Sequence, residues 1–150
     1  MGMQSYETRG YGIEFDRRGG RNTTGDKIRA MLELAPELKE DVNSWLKDCD
    51  IDPETATVED YEDFEQDYGN GIPALIAFAM NEYYGHLIVD ASSDENGILY
   101  LYLPYELPWD HDEFVSGLTE ESFSDMLRKF YNMLYEDEAE IGRVYIHDFG

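Results

Sequence analysis

The chain has 150 residues, a formal net charge of −23, and an apolar share of 42% that includes 12 Tyr, 7 Phe and 2 Trp. This apolar content argues against a disordered acidic tail, since disorder combines high charge with low hydrophobicity. The charge argues against direct attraction to nucleic acid or to an anionic membrane. The length suits one domain with one core, so residues 1–150 are read as a single domain.

Tyr6 to Phe15 alternates loosely and predicts a first strand, weakened by Gly10 and Gly12. Asp16 to Thr24 is a polar, Gly-broken loop. Thr23 or Thr24 then caps a helix whose apolar face is Ile28, Met31, Leu32 and Ala35. Pro36 suits the first turn of a second helix. In that helix Leu38, Val42, Trp45, Leu46 and Cys49 form a helical stripe, which puts Cys49 in the core. Thr57 and Asp60 form a capping box for a third helix, Val58 to Tyr68. Its apolar side is Val58, Tyr61, Phe64 and Tyr68; Glu59, Asp60, Glu62, Asp63, Glu65 and Asp67 cover the rest.

Ile72 to Tyr84 is apolar nearly all round, which predicts a buried central helix ended by Gly85. His86 to Ala91 and Ile98 to Leu103 predict a hairpin across Asn96-Gly97. Thr119 caps a long helix with Phe123, Met126, Leu127, Phe130, Tyr131 and Leu134 inward, and Arg143 to Phe149 is a last strand. The expected fold is α+β: about four mainly antiparallel strands and five helices in the order β-α-α-α-α-β-β-α-β, with helices on one face.

The acids are unevenly placed. Residues 1–29 hold six basic and four acidic side chains. From Asp48 to Asp125 there is no lysine or arginine, and the gap between Lys47 and Arg128 spans 80 residues with 21 Asp and Glu. A small domain usually carries a net charge of roughly 2–8. Such asymmetry points to a partner surface, although adaptation to high salt also yields acid-rich surfaces. Cys49 is the only cysteine, so no internal disulfide is possible and a reducing, cytoplasmic compartment is natural. No apolar run approaches the roughly 18 residues of a membrane helix. No signal-peptide core follows the polar first residues, where Met1-Gly2 ahead of Met3 reads as an added start. Tyr6 breaks the myristoylation pattern.

Reaction chemistry is thinly supported. His86, His111 and His147 lack metal-ligand spacing. Gly20 and Gly25 are spaced like the glycines of a Walker loop, but Asp26 precedes Lys27 and Ile28 follows. Asp48, Asp50, Asp52 and Glu59 match positions 1, 3, 5 and 12 of an EF-hand loop, which the stretch resembles over twelve residues. Pro53 occupies the sixth position, where a positive-φ glycine is needed. No cofactor, metal site or enzymatic activity is expected.

Carboxylates three or four positions apart on a helix lie about 5–6 Å apart, and DNA carries roughly one charge per 3.4 Å of each strand. A folded array of carboxylates can therefore imitate phosphates. Glu59, Asp60, Glu62, Asp63, Glu65 and Asp67 are the first candidate array. Tyr105 and Trp109 beside Asp110, Asp112 and Glu113 form a second, an aromatic anchor in a charged rim. Glu136, Asp137, Glu138 and Glu140 are a third cluster. In size, aromatic content and charge the chain resembles the loose class of DNA-mimic inhibitors carried by phages and mobile elements. That likeness covers composition over the whole chain and includes no shared motif. It implies a protein that binds the basic, nucleic-acid-binding surface of a partner, such as a restriction enzyme or CRISPR nuclease, and blocks it. Two alternatives stand beside it: an acidic adaptor or immunity-like protein whose basic partner has no link to nucleic acid, and a divalent-cation binder.

Overall fold

The computed structural model describes residues 5–15, 23–64, 71–85, 89–93, 99–104 and 117–149. Its elements follow the expected order: β1 (Ser5–Phe15), α1 (Gly25–Leu32), α2 (Pro36–Asp48), α3 (Val58–Glu62), α4 (Gly71–Tyr84), β2 (Asp90–Ser93), β3 (Leu99–Pro104), α5 (Glu120–Leu134) and β4 (Gly142–Phe149). The fold is α+β, with one antiparallel sheet in the order β2-β3-β1-β4.

Local sequence signals account for most boundaries. Thr24 caps α1 by accepting from the Lys27 N–H. Thr57 with Asp60, and Thr119 with Ser122, close reciprocal capping boxes on α3 and α5. Gly85 terminates α4 at φ +73°, a conformation that needs no side chain.

The helices cover one face of the sheet. Ile13, Phe15 and Leu101 join the buried faces of α1, α2, α4 and α5 in a single core. α4 lies at its centre, with Ile72 to Ala77, Ala79 and Met80 buried, while Phe78 and Tyr83 reach solvent. The opposite face is also occupied: Tyr100, Tyr102, Val144 and Ile146 form a second buried cluster. The weakly patterned glycines of β1 belong to this face. The Tyr102 ring lies where a Cβ on Gly10 would project. A Cβ on Gly12 would run into the Leu101 carbonyl, which the β1–β3 ladder holds in place. Gly12→Ala is therefore expected to destabilise the fold by about 2 kcal/mol, read as a lower urea midpoint with an unchanged slope.

Four expectations need correction. The second strand begins at Asp90, after the expected His86 start; residues 86–88 lie outside the described set. The Asn81 amide explains the delay. It accepts from the Val89 N–H (3.0 Å) and donates to the Val89 carbonyl (2.9 Å), so the Val89 N–H is not available to a ladder. β3 runs from Leu99 to Pro104, one residue past the expected end at Leu103. Cys49 does not join the core. It is exposed at the α2 C-cap with φ −90° and ψ 7°, outside the helical turn that would have aimed it inward. α3 ends at Glu62, short of Tyr68: Asp63 and Phe64 form a turn, and residues 65–70 are outside the described set.

Long-range contacts position the helices. Ala35, the N-cap of α2, has no side-chain cap. Glu82 of α4 supplies it, accepting from the Glu37 N–H (3.0 Å) and the Leu38 N–H (2.8 Å). A carboxylate at a helix N-terminus also meets the positive end of the dipole. This acid is thus tied to the fold's own backbone.

Candidate acidic docking surface

The largest group of described carboxylates on one stretch of chain runs from Asp48 to Asp63. Its first turn is set by the end of α2. Asp50 takes the left-handed conformation, φ +62°, which Asp tolerates better than most residues. The Ile51 N–H donates to the Leu46 carbonyl (2.9 Å) and the Asp50 N–H to the Lys47 carbonyl (3.0 Å). These two bonds form a Schellman cap, and Ile51 packs against the core behind it. Asp52 then accepts from the Glu54 N–H at 2.9 Å, folding the next turn on itself. Thr57 and Asp60 start α3.

The inner side of this stretch is seated on α1. Arg29 Nη1 donates to the Ala56 carbonyl (2.9 Å), the Pro53 carbonyl (3.3 Å) and the Tyr61 hydroxyl (3.5 Å), while Nη2 pairs with Asp26. One turn earlier, a Cβ on Gly25 would collide with the Ala56 carbonyl, so only glycine lets the loop come this close. Tyr61 is fully buried and donates its hydroxyl to the Pro53 carbonyl at 3.4 Å. Burial raises the Tyr61 phenol above its ordinary pKa, against the opposing pull of Arg29. Trp45 and Phe64 meet edge to face at 5.4 Å, closing the far end.

The outer side is rich in acid. Asp48, Asp50, Asp52, Glu54, Glu59, Glu62 and Asp63 are all exposed. Among the described residues the ion pairs are Lys27–Glu136 (3.6 Å), Arg29–Asp26, Lys39–Glu33 and Arg128–Asp125 (3.5 Å), each using an acid outside this stretch. Glu59, Glu62 and Asp63 sit at helical spacings of three and four. Glu62 records the crowding: partial desolvation, then the charges of Glu59 and Asp63, raise its carboxyl above the ordinary range. A raised carboxyl opposes folding when ionised, and this penalty fades as pH falls through the raised value toward the unfolded pKa of about 4.3. Glu62→Gln is accordingly expected to stabilise the protein near pH 7 by about 0.5 kcal/mol after screening at this exposed site. The gain should shrink when unfolding is measured close to pH 4.5, since both states then approach protonation.

The expected site residues therefore separate. Glu59, Glu62 and Asp63 stand together on the outer side. Asp60 is half-buried and spent on the Thr57 N–H. Glu65 and Asp67 lie outside the described residues, as do Tyr105, Trp109, Asp110, Asp112 and Glu113, the whole aromatic-anchor array. In the C-terminal cluster all four acids are exposed, but Asp137 accepts from the buried Tyr131 hydroxyl at 2.8 Å and Glu136 pairs with Lys27. Asp48, Asp50, Asp52 and Glu54 join the docking candidates, although the sequence singled out only the first three of them, for their calcium-loop spacing. In that loop Asp52 turns back on Glu54, and the Pro53 carbonyl faces Arg29. Among the described residues, no three His, Cys, Asp or Glu side chains converge as a metal site would require. No described helix is long and apolar enough to cross a membrane. Sequence reasoning missed Arg29 and Gly25 as the seat, because they meet their partners across 24 to 32 residues of chain.

Comparison with protein-family models, curated proteins and solved structures returned no match.

Proposed function

We propose that this chain is an acidic, non-enzymatic protein that occupies the basic, nucleic-acid-binding surface of a partner protein and blocks it. It would be a phosphate-mimic inhibitor of the anti-CRISPR or anti-restriction type. One observation carries the reading. Seven carboxylates from Asp48 to Asp63 are held out to solvent on a backbone braced by a Schellman cap, an Asx turn, a capping box and Arg29. Solubility alone needs charge but no such bracing. Apart from the half-buried Asp60 and Glu82, every described acidic side chain is exposed, so the field that steers a basic partner extends well beyond this turn.

A partner held by mimicked phosphates releases its bound counterions as a nucleic acid would make it do. Binding should then weaken steeply between low and high salt, and DNA or RNA should compete for it. The test is a pull-down from host lysate with the tagged full chain, followed by salt titration and nucleic-acid competition of the recovered complex. Affinity indifferent to both would refute the mimic and favour an adaptor for a basic protein unrelated to nucleic acid.

A further inference from the structure

The segment from Asp52 to Phe64 is under two opposed forces. Its inner side is drawn to the body by the three Arg29 bonds, the close approach of Gly25 to Ala56, the buried Tyr61 ring and the Trp45–Phe64 contact. Its outer side carries Asp52, Glu54, Glu59, Glu62 and Asp63, like charges joined to no described basic residue. Salt distinguishes the two. The Arg29 bonds are part-buried and little screened, whereas repulsion between exposed carboxylates is screened within a Debye length. The segment also has natural edges. Asp50 breaks α2 in the left-handed conformation, and Gly71 begins α4 in the same region (φ +49°). The helix within the segment, α3, has five residues, too few to be stable without its tertiary contacts.

We propose that residues 52–64 form a charge-gated flap, which opens and closes as a unit and is driven shut by cations. Local opening of this kind is a normal property of segments whose stability lies well below that of the core. Closure would leave Arg29, Tyr61 and Phe64 sealed and the outer acids fixed in place. If the proposed function holds, a basic partner supplies the same screening, and docking and closure reinforce each other. The flap itself belongs to the free protein and needs no partner.

Hydrogen exchange on the full chain tests it at fixed pD, in about 20 mM and about 500 mM NaCl, where the Debye length falls from roughly 20 Å to roughly 4 Å. The reporters are the Tyr61, Asp63 and Phe64 amides, bonded to the Thr57, Glu59 and Tyr61 carbonyls; the reference is α5. Protection of the reporters relative to α5 should rise about fivefold with salt, the size expected from relieving two or three like-charge helical neighbours. The neutral variant E59Q/E62Q/D63N should show the high protection at both salt concentrations. Reporters and α5 changing in parallel would mean global stabilisation and overturn the flap, as would no change at all. Salt sensitivity that persists in the neutral variant would overturn its attribution to these acids.

Discussion

Replacing Arg29 with methionine is expected to lower stability by about 3 kcal/mol, which for a domain of this size is roughly 6–12 °C in Tm. Methionine keeps much of the aliphatic stem, so the loss comes from the guanidinium. Its removal leaves the buried Ala56 carbonyl without this donor and takes a partner from the Pro53 carbonyl and the fully buried Tyr61 hydroxyl, which keep their bond to each other. A polar group left buried and unpaired costs more than the bond it has lost was worth. The Arg29 guanidinium is itself held in the charged form. Burial works against that form, but the bonds to Asp26 and Tyr61 outweigh it and raise the pKa. Arg29→Lys keeps the charge and loses the fork, so it should fall between wild type and methionine. Thermal unfolding of the three proteins provides the measurement. Equal midpoints for lysine and methionine would show that geometry, rather than charge, secures the loop; equal midpoints for all three would remove Arg29 from the account.

Reversing Glu59, Glu62 and Asp63 to lysine is expected to slow association with the proposed basic partner by on the order of tenfold or more, because steering by charge contributes 10- to 1,000-fold to encounter rates. The fold should survive. Val58, Tyr61 and Phe64 keep their packing, Asp60 keeps its cap, and lysine is a good helix former. The control is the triple reversal of Glu136, Glu138 and Glu140. It leaves Asp137 to the Tyr131 hydroxyl, so its core contact is not disturbed. That control should slow association less, since its acids follow α5 in irregular chain and Glu136 already pairs with Lys27. Association rates at low salt, taken after each variant is shown to be folded, compare the two clusters directly. A wild-type rate for the first variant beside a slowed rate for the second would mean that the docking surface is the C-terminal one. Wild-type rates for both would return the charge to solubility or salt tolerance.

The order of elements was readable because its signals are local. A stripe such as Ile28, Met31, Leu32 and Ala35 repeats with the pitch of a helix wherever the helix docks. Thr24, Thr57 and Thr119 satisfy amides within three residues of themselves. The gap in basic residues is likewise a property of the chain alone. Which acids remain available is not, because a carboxylate does not announce in sequence whether it faces water or a backbone amide. Glu82 is taken by α2 from 45 residues away, Asp60 by its own cap and Asp137 by Tyr131, whereas Glu59, Glu62 and Asp63 have no such claimant among the described residues. Cys49 lay on the apolar stripe, but the stripe stopped with the helix, and the left-handed Asp50 turned the chain away. The late start of β2 was decided by a side chain of another element: the Asn81 amide of α4 bonds both backbone groups of Val89. Sequence alone thus determined the helices, the strands and an excess of acid. Tertiary structure decided where that acid is free, because each carboxylate bound by a distant amide or hydroxyl is lost to any partner.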